Sequence, residues 1–257
     1  MGQYATQDDL DLRVNTATRL PVCIVLDTSA SMDRITDDLT GVAPTRQEYA
    51  DGKMWDIYEG DFNTYMKQAI KGVNKLYSVI RDNEMAAASC EIAIITFADR
   101  TTVLEDFQTV DAKQEFVDPG RGENTNLGAA VKEAVNLLNN RKQKYKEYGT
   151  EYYQPWLILI TDGEPTDVAA TAEAQKLCRD LEDSRKLTVF ALTLGETVDK
   201  SKLQGFTKRK VLSIQDDKIE EFFEWLGKSA SIVAEVSNDD QDTVQLDPGF
   251  DQWMVGL

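Results

Sequence analysis

The chain has 257 residues, 42% hydrophobic and 28% charged, which is enough apolar material for one large α/β domain with a substantial core. Its 45 acidic and 28 basic residues give a formal net charge of −17, a surface that repels phosphate backbones and argues against nucleic-acid binding. No histidine is present, which removes Ser-His-Asp and Cys-His catalysis and histidine-based zinc sites together.

Residues 1–19 are polar and acidic, lack the apolar core of a signal peptide, and are read as an N-terminal extension. No run approaches the ~20 apolar residues of a membrane span, so no membrane contact is expected and the expected compartment is the cytoplasm. The first strand is predicted at 20–27 (LPVCIVLD), an almost continuous apolar run that suits burial on both faces of a parallel sheet. Residues 33–60 then form a long polar stretch where connections usually take about 2–6 residues. They read as an insertion, with Tyr49, Trp55 and Tyr58 expected to pack it onto the domain. Phe62, Tyr65, Ala69, Val73, Leu76 and Ile80 mark the apolar face of a first helix.

A second buried strand is expected at 91–97, turning through Ala98, Asp99 and Arg100 into an edge strand at 101–107. Leu127, Ala130, Val131, Ala134, Leu137 and Leu138 mark another helix. Strands at 156–162 and 187–194 flank a helix carrying Val168, Ala172, Leu177 and Leu181, with Thr166 or Asp167 as its cap. A weaker strand at 210–214 and a helix carrying Phe222, Phe223, Leu226, Ile232 and Val233 follow. Strands alternating with helices predict a doubly wound, Rossmann-like α/β fold: a mostly parallel sheet with helices on both faces. The boundaries read as an extension at 1–19, the domain at 20–236 with its insertion at 33–60, and an acidic tail at 237–257. Cys23, Cys90 and Cys178 are odd in number, irregularly spaced and set in apolar patterns, so they are read as buried reduced thiols.

The first strand ends in Asp27-Thr28-Ser29-Ala30-Ser31, which places a carboxylate and two hydroxyls on alternate residues. In open α/β sheets the loops at the carboxyl ends of the strands form the binding crevice. The strand at 156–162 brings Thr161-Asp162-Gly163 to the same edge, and the loop 120–126 (GRGENTN) offers Thr125. Asp27, Ser29, Ser31, Thr125 and Asp162 are all hard oxygen donors, suited to Mg²⁺, with Mn²⁺ or Ca²⁺ as alternatives, rather than to zinc. Two carboxylates leave such an ion with positive charge to share with an acidic residue of a protein partner.

These residues resemble the metal-ion-dependent adhesion site (MIDAS) of von Willebrand factor A domains, and the resemblance covers about 20–233. Arg19-Leu20-Pro21, residues 125–130 and the segment 155–167 (PWLILITDGEPTD) are similar to bacterial TerY-like members. The resemblance implies that Ser29 and Ser31 bind the metal directly, and that Thr125 does so directly or through water. Asp27 and Asp162 would act directly or through water while accepting hydrogen bonds. It implies neighbouring strands ending in Asp27 and Asp162. The insertion 33–60 is longer than the connection typical of the family, and because it follows the Asp27–Ser31 loop directly it is expected to leave from the metal-bearing edge. It further implies metal-dependent protein binding without catalysis, in a bacterial stress or tellurite-resistance type of system. Glu123-Asn124 departs from the Gly-Gly common in the family before the threonine, which stiffens the loop.

The competing readings are a metal-dependent hydrolase or phosphatase and a metal-free scaffold. A phosphatase of the Asp-x-Asp type would lack its general acid, since Ser29 stands at the second position. No Gly-x-x-x-x-Gly-Lys, Gly-x-Gly-x-x-Gly or Gly-x-Ser-x-Gly motif occurs in a suitable context.

Overall fold

The computed structural model describes residues 7–50, 52–195, 199–214 and 218–235. In chain order its elements are α1 (Gln7–Val14), β1 (Leu20–Asp27), the pair β2 (Arg46–Ala50) and β3 (Lys53–Ile57), α2 (Tyr65–Arg81), α3 (Glu84–Ser89), β4 (Cys90–Phe97), β5 (Thr101–Thr109), α4 (Leu127–Tyr148), β6 (Trp156–Thr161), α5 (Val168–Asp183), β7 (Thr188–Leu194), α6 (Lys200–Gln204), β8 (Leu212–Ile214) and α7 (Ile219–Glu235).

The main sheet runs β5-β4-β1-β6-β7-β8, with β5 antiparallel to β4 and every other pairing parallel. This is the expected α/β architecture with a mostly parallel sheet. Period-two alternation explains why the strands read as unbroken apolar runs. Leu20, Val22, Ile24 and Leu26 face a core shared with Met66, Val73 and Leu76 of α2 and Phe222, Phe223 and Leu226 of α7. Cys23 and Val25 face the opposite core, formed with Val131, Ala134 and Leu138 of α4 and Ala174 and Cys178 of α5. All three cysteines are buried and free, and burial pushes the thiols of Cys90 and Cys178 up to about 12.

β1 and β6 are neighbours whose onward connections leave in opposite directions, one toward β4 and the other toward β7. That makes their carboxyl ends the switch point of the sheet.

Several local details differ from expectation. α2 begins at Tyr65, because the Thr64 side chain accepts from Lys67 N at 3.2 Å; Phe62 lies before the cap, edge-on to Tyr58. α1, α3 and α6 were not predicted. Within the insertion β2 and β3 form a separate antiparallel hairpin. Asp51-Gly52 is its sequence signal, and Gly52 takes the positive φ of 78° that hairpin turns favour. The described part of the N-terminal segment is tied to the domain: Leu12 is buried, and Asn15 Nδ2 donates to Ala88 O at 2.9 Å. The tail 237–257 lies outside the described residues.

Candidate metal centre

Asp27 is the last residue of β1 and is fully buried. One carboxylate oxygen accepts from Ser29 N at 2.7 Å, and the other accepts from the Thr161 hydroxyl at the end of β6. Thr28 is pinned to β4, since its amide and its hydroxyl both donate to Phe97 O, at 2.8 and 3.0 Å. The chain then turns through a short 3-10 helix, Ala30–Asp33, which brings Ser31 Oγ within 3.0 Å of Ser29 Oγ. Ser31 Oγ donates to Asp162 Oδ1 at 2.8 Å. A hydrogen-bonded chain therefore runs from Ser29 to Asp162, across the ends of β1 and β6.

Thr125 is buried against the same group. A Cβ placed on Gly163 would lie 3.6 Å from Thr125 Oγ1 and 3.9 Å from Ser31 Oγ, so the two hydroxyls face one small volume. The loop before Thr125 is bonded to the Asp27 segment through Gly122 N and Thr28 O, at 2.9 Å. The structure thus brings together all five residues singled out in the sequence.

Burial pushes the Asp27 carboxyl up to about 6; the Thr161 and Ser29 hydrogen bonds pull it down, and the Asp162 charge adds a small push upward. Asp162 is also raised, first by burial and against the bond from Ser31. Two acids raised in this way could be balanced by a proton or by a bound divalent cation. The donors fit it: two carboxylates and three hydroxyls, all oxygen. Among the described residues no group of three or more His, Cys, Asp or Glu gathers that could hold a metal ion.

Sequence reading missed the residues that hold these donors. Asp99, in the β4–β5 turn, accepts from Glu123 N and Asn124 N at 2.9 and 3.2 Å, while the Glu123 side chain is exposed. Thr166 Oγ1 accepts from Thr125 N at 3.2 Å, and Asp167 reaches the first turn of α4. The motif 161–167 carries three acids and two threonines, which was the available signal.

The insertion leaves from this edge. Its base is closed by Thr36 N to Asn63 O at 3.0 Å, and Arg121 joins its first residue, Asp33, to Asp118. The expectation that its aromatics pack onto the domain fails for two of the three. Tyr49 is 71% exposed and Trp55 43% exposed, with Lys53 Nζ 3.5 Å from the centre of the Trp55 ring. A two-stranded hairpin has no second layer to bury them.

The von Willebrand factor type A domain family matches residues 53–224, a span that includes Thr125 and Asp162 and begins after Ser31. A comparison with curated proteins finds no match. Among solved structures, the vWF domain of the type V pili tip protein Mfa5 from Porphyromonas gingivalis is similar over 86% of this chain and 98% of its own. Its TM-score is 0.58 at 10% identity. The D319A mutant of the PilB minor pilin from Streptococcus sanguinis aligns over 88% of this chain and 64% of its own, with a TM-score of 0.57 at 12% identity. Proximal thread matrix protein 1 from the mussel byssus aligns over 85% of this chain at 19% identity and a TM-score of 0.53. This chain spans about half of that protein, 47% of its length. At these identities the likeness is one of fold.

Proposed function

The chain belongs to the von Willebrand factor type A domain family, and on that premise we propose that it is a metal-dependent protein-interaction module with a MIDAS-type centre at Asp27, Ser29, Ser31, Thr125 and Asp162. The observation that carries this reading is the convergence of those five oxygen donors from three separate loops onto the switch point of the sheet. Mg²⁺ is the first choice of ion, with Mn²⁺ or Ca²⁺ as alternatives. A bound cation would supply positive charge and an open coordination position for an acidic side chain of the partner.

Interaction rather than hydrolysis fits the way Asp27 is used. An acid raised to about 6 has the strength of a general base, yet both of its oxygens are committed, to Thr161 and to Ser29 N. Fixed in that way it serves as an anchor.

Placement beside the TerY-like members, and with it a stress or tellurite-resistance setting, rests on the flanking sequences at 19–21, 125–130 and 155–167. A cytoplasmic setting is supported by three buried free thiols. Among the described residues no helix is long and apolar enough to cross a membrane.

The test is calorimetric titration of Mg²⁺ into the wild-type chain and the Ser29→Ala, Ser31→Ala double variant. Binding is expected in the wild type and a loss of about tenfold or more in the variant, since two direct oxygen ligands are removed. Equal affinities would reject the site.

A further inference from the structure

Thr125 stands at the end of a loop, immediately before α4, and its position relative to Asp162 decides whether the five donors form one site. The N-terminus of α4 is built in an unusual way. Asn126 occupies the N-cap position yet makes no side-chain cap bond. Its amide group is used elsewhere: Nδ2 donates to Asp99 O at 3.0 Å, and Oδ1 accepts from the Thr166 hydroxyl at 3.0 Å. The α4 amides that an N-cap side chain normally satisfies, those of Gly128 and Ala129, donate instead to Asp167 Oδ1 at 3.1 Å and Oδ2 at 2.8 Å. Asp167 is itself the N-cap residue of α5 and also accepts from the Thr171 hydroxyl at 2.9 Å. One carboxylate therefore sits between two helix N-termini, where both macrodipoles favour its charge.

Backbone contact reinforces the arrangement. A Cβ on Gly128 would lie 2.2 Å from Thr171 N and 2.3 Å from Ala170 C, so the first turns of α4 and α5 touch main chain to main chain. Thr125 O accepts from Thr166 N at 2.9 Å, while Thr166 Oγ1 accepts from Thr125 N. Residues 162–167, which begin with Asp162, thus also hold Thr125 through bonds to its backbone and to the helix that follows it.

We propose that Asp167 is a positioning residue for the metal centre: it fixes Thr125 against the Asp162 segment, so the five donors keep one geometry with or without metal. The proposal rests on the metal-site reading above. Its consequence is that partner capture follows metal occupancy alone, with no separate activating movement of the Thr125 loop.

The test uses the full chain with Asp167→Ala and Asp167→Asn. NMR amide exchange at Gly128 and Ala129 is measured without metal, and Mg²⁺ affinity is measured by calorimetry. In Asp167→Ala both amides should exchange faster and Mg²⁺ should bind about fivefold more weakly, the scale of a lost helix cap. Asp167→Asn keeps one acceptor oxygen and should fall between. In the wild type Mg²⁺ should slow exchange at the two amides by no more than about the same fivefold, since the coupling between this contact and the metal is reciprocal. The proposal is overturned if a folded Asp167→Ala leaves either exchange or affinity unchanged, or if Mg²⁺ slows exchange at these amides in the wild type far beyond about fivefold. A wild-type chain that binds no Mg²⁺ would overturn the metal reading, while exchange in the two variants would still decide whether Asp167 holds α4.

Discussion

Two buried acids lie near opposite ends of the adjacent strands β1 and β4, and their surroundings differ. Glu91, near the start of β4, is enclosed by cations from its own chain. Arg141 Nε donates to it at 2.6 Å, Arg19 approaches to 3.5 Å, and the Tyr145 hydroxyl donates to the same oxygen as Arg141. Arg19 continues to Asp11 of α1 at 2.7 Å and to Ala88 O at 2.8 Å. Glu91 Oε1 and Arg19 Nε make no hydrogen bond, so that approach is held by charge. Burial and the Glu91 charge push Tyr145 well up, which keeps it a neutral donor. Asp27, at the end of β1, meets hydroxyls and an amide, with a second raised acid beyond Ser31. Where the chain balances a buried charge itself, the charge joins elements together, here α1, β4 and α4. Where the balance is left incomplete, as at Asp27, a proton or a bound cation can complete it.

The largest expected effect tests the balanced end. Glu91→Ala leaves Arg19 and Arg141 buried without their shared counter-charge and should cost about 3–5 kcal/mol in urea unfolding. A loss under 1 kcal/mol would mean that the network is worth no more than a surface pair. The next concerns the other end. Mg²⁺ at about 100 times its dissociation constant should stabilise the wild type by about 2.7 kcal/mol, a rise in Tm of roughly 5–10 °C for a chain of this size. An unchanged melting curve would contradict a ligand-balanced site. Asp162→Asn should abolish that rise, yet melt without metal at or above the metal-free wild type, because a charge repelling Asp27 is gone. If it instead unfolds as readily as Glu91→Ala, the two ends do not differ in kind. The smallest effect belongs to the hairpin. Tyr49→Ala and Trp55→Ala should each stay within about 0.5 kcal/mol of wild type, since both side chains are exposed. A larger loss would show that they pack against the domain in solution.

β1, β4, β6 and β7 are legible in the sequence because burial on both faces requires apolar runs without alternation, and LPVCIVLD, EIAIITF, WLILIT and TVFALTL have no other simple reading. Four of the five donors are legible for a related reason: polar residues at or directly after the ends of such runs must emerge at the carboxyl edge of the sheet, whereas Thr125 was singled out as the hydroxyl of a polar, glycine-containing loop entering a helix. The hairpin β2–β3 escaped because its strands bury little and leave no apolar pattern, although Asp51-Gly52 marked its turn. Glu91 is visible as one acid within an apolar run, but its partners come from 50 and 54 residues further along, in Arg141 and Tyr145. Asp167 shows the boundary between the two kinds of information. That it caps a helix follows from its type and place in the chain, and the natural assignment is α5. That its carboxylate makes no cap bond to α5 amides and instead serves the amides of α4, 38 and 39 residues earlier, was decided only when the first turns of the two helices met at Gly128. Local spacing determines which groups need partners; packing determines which partners come within hydrogen-bond reach.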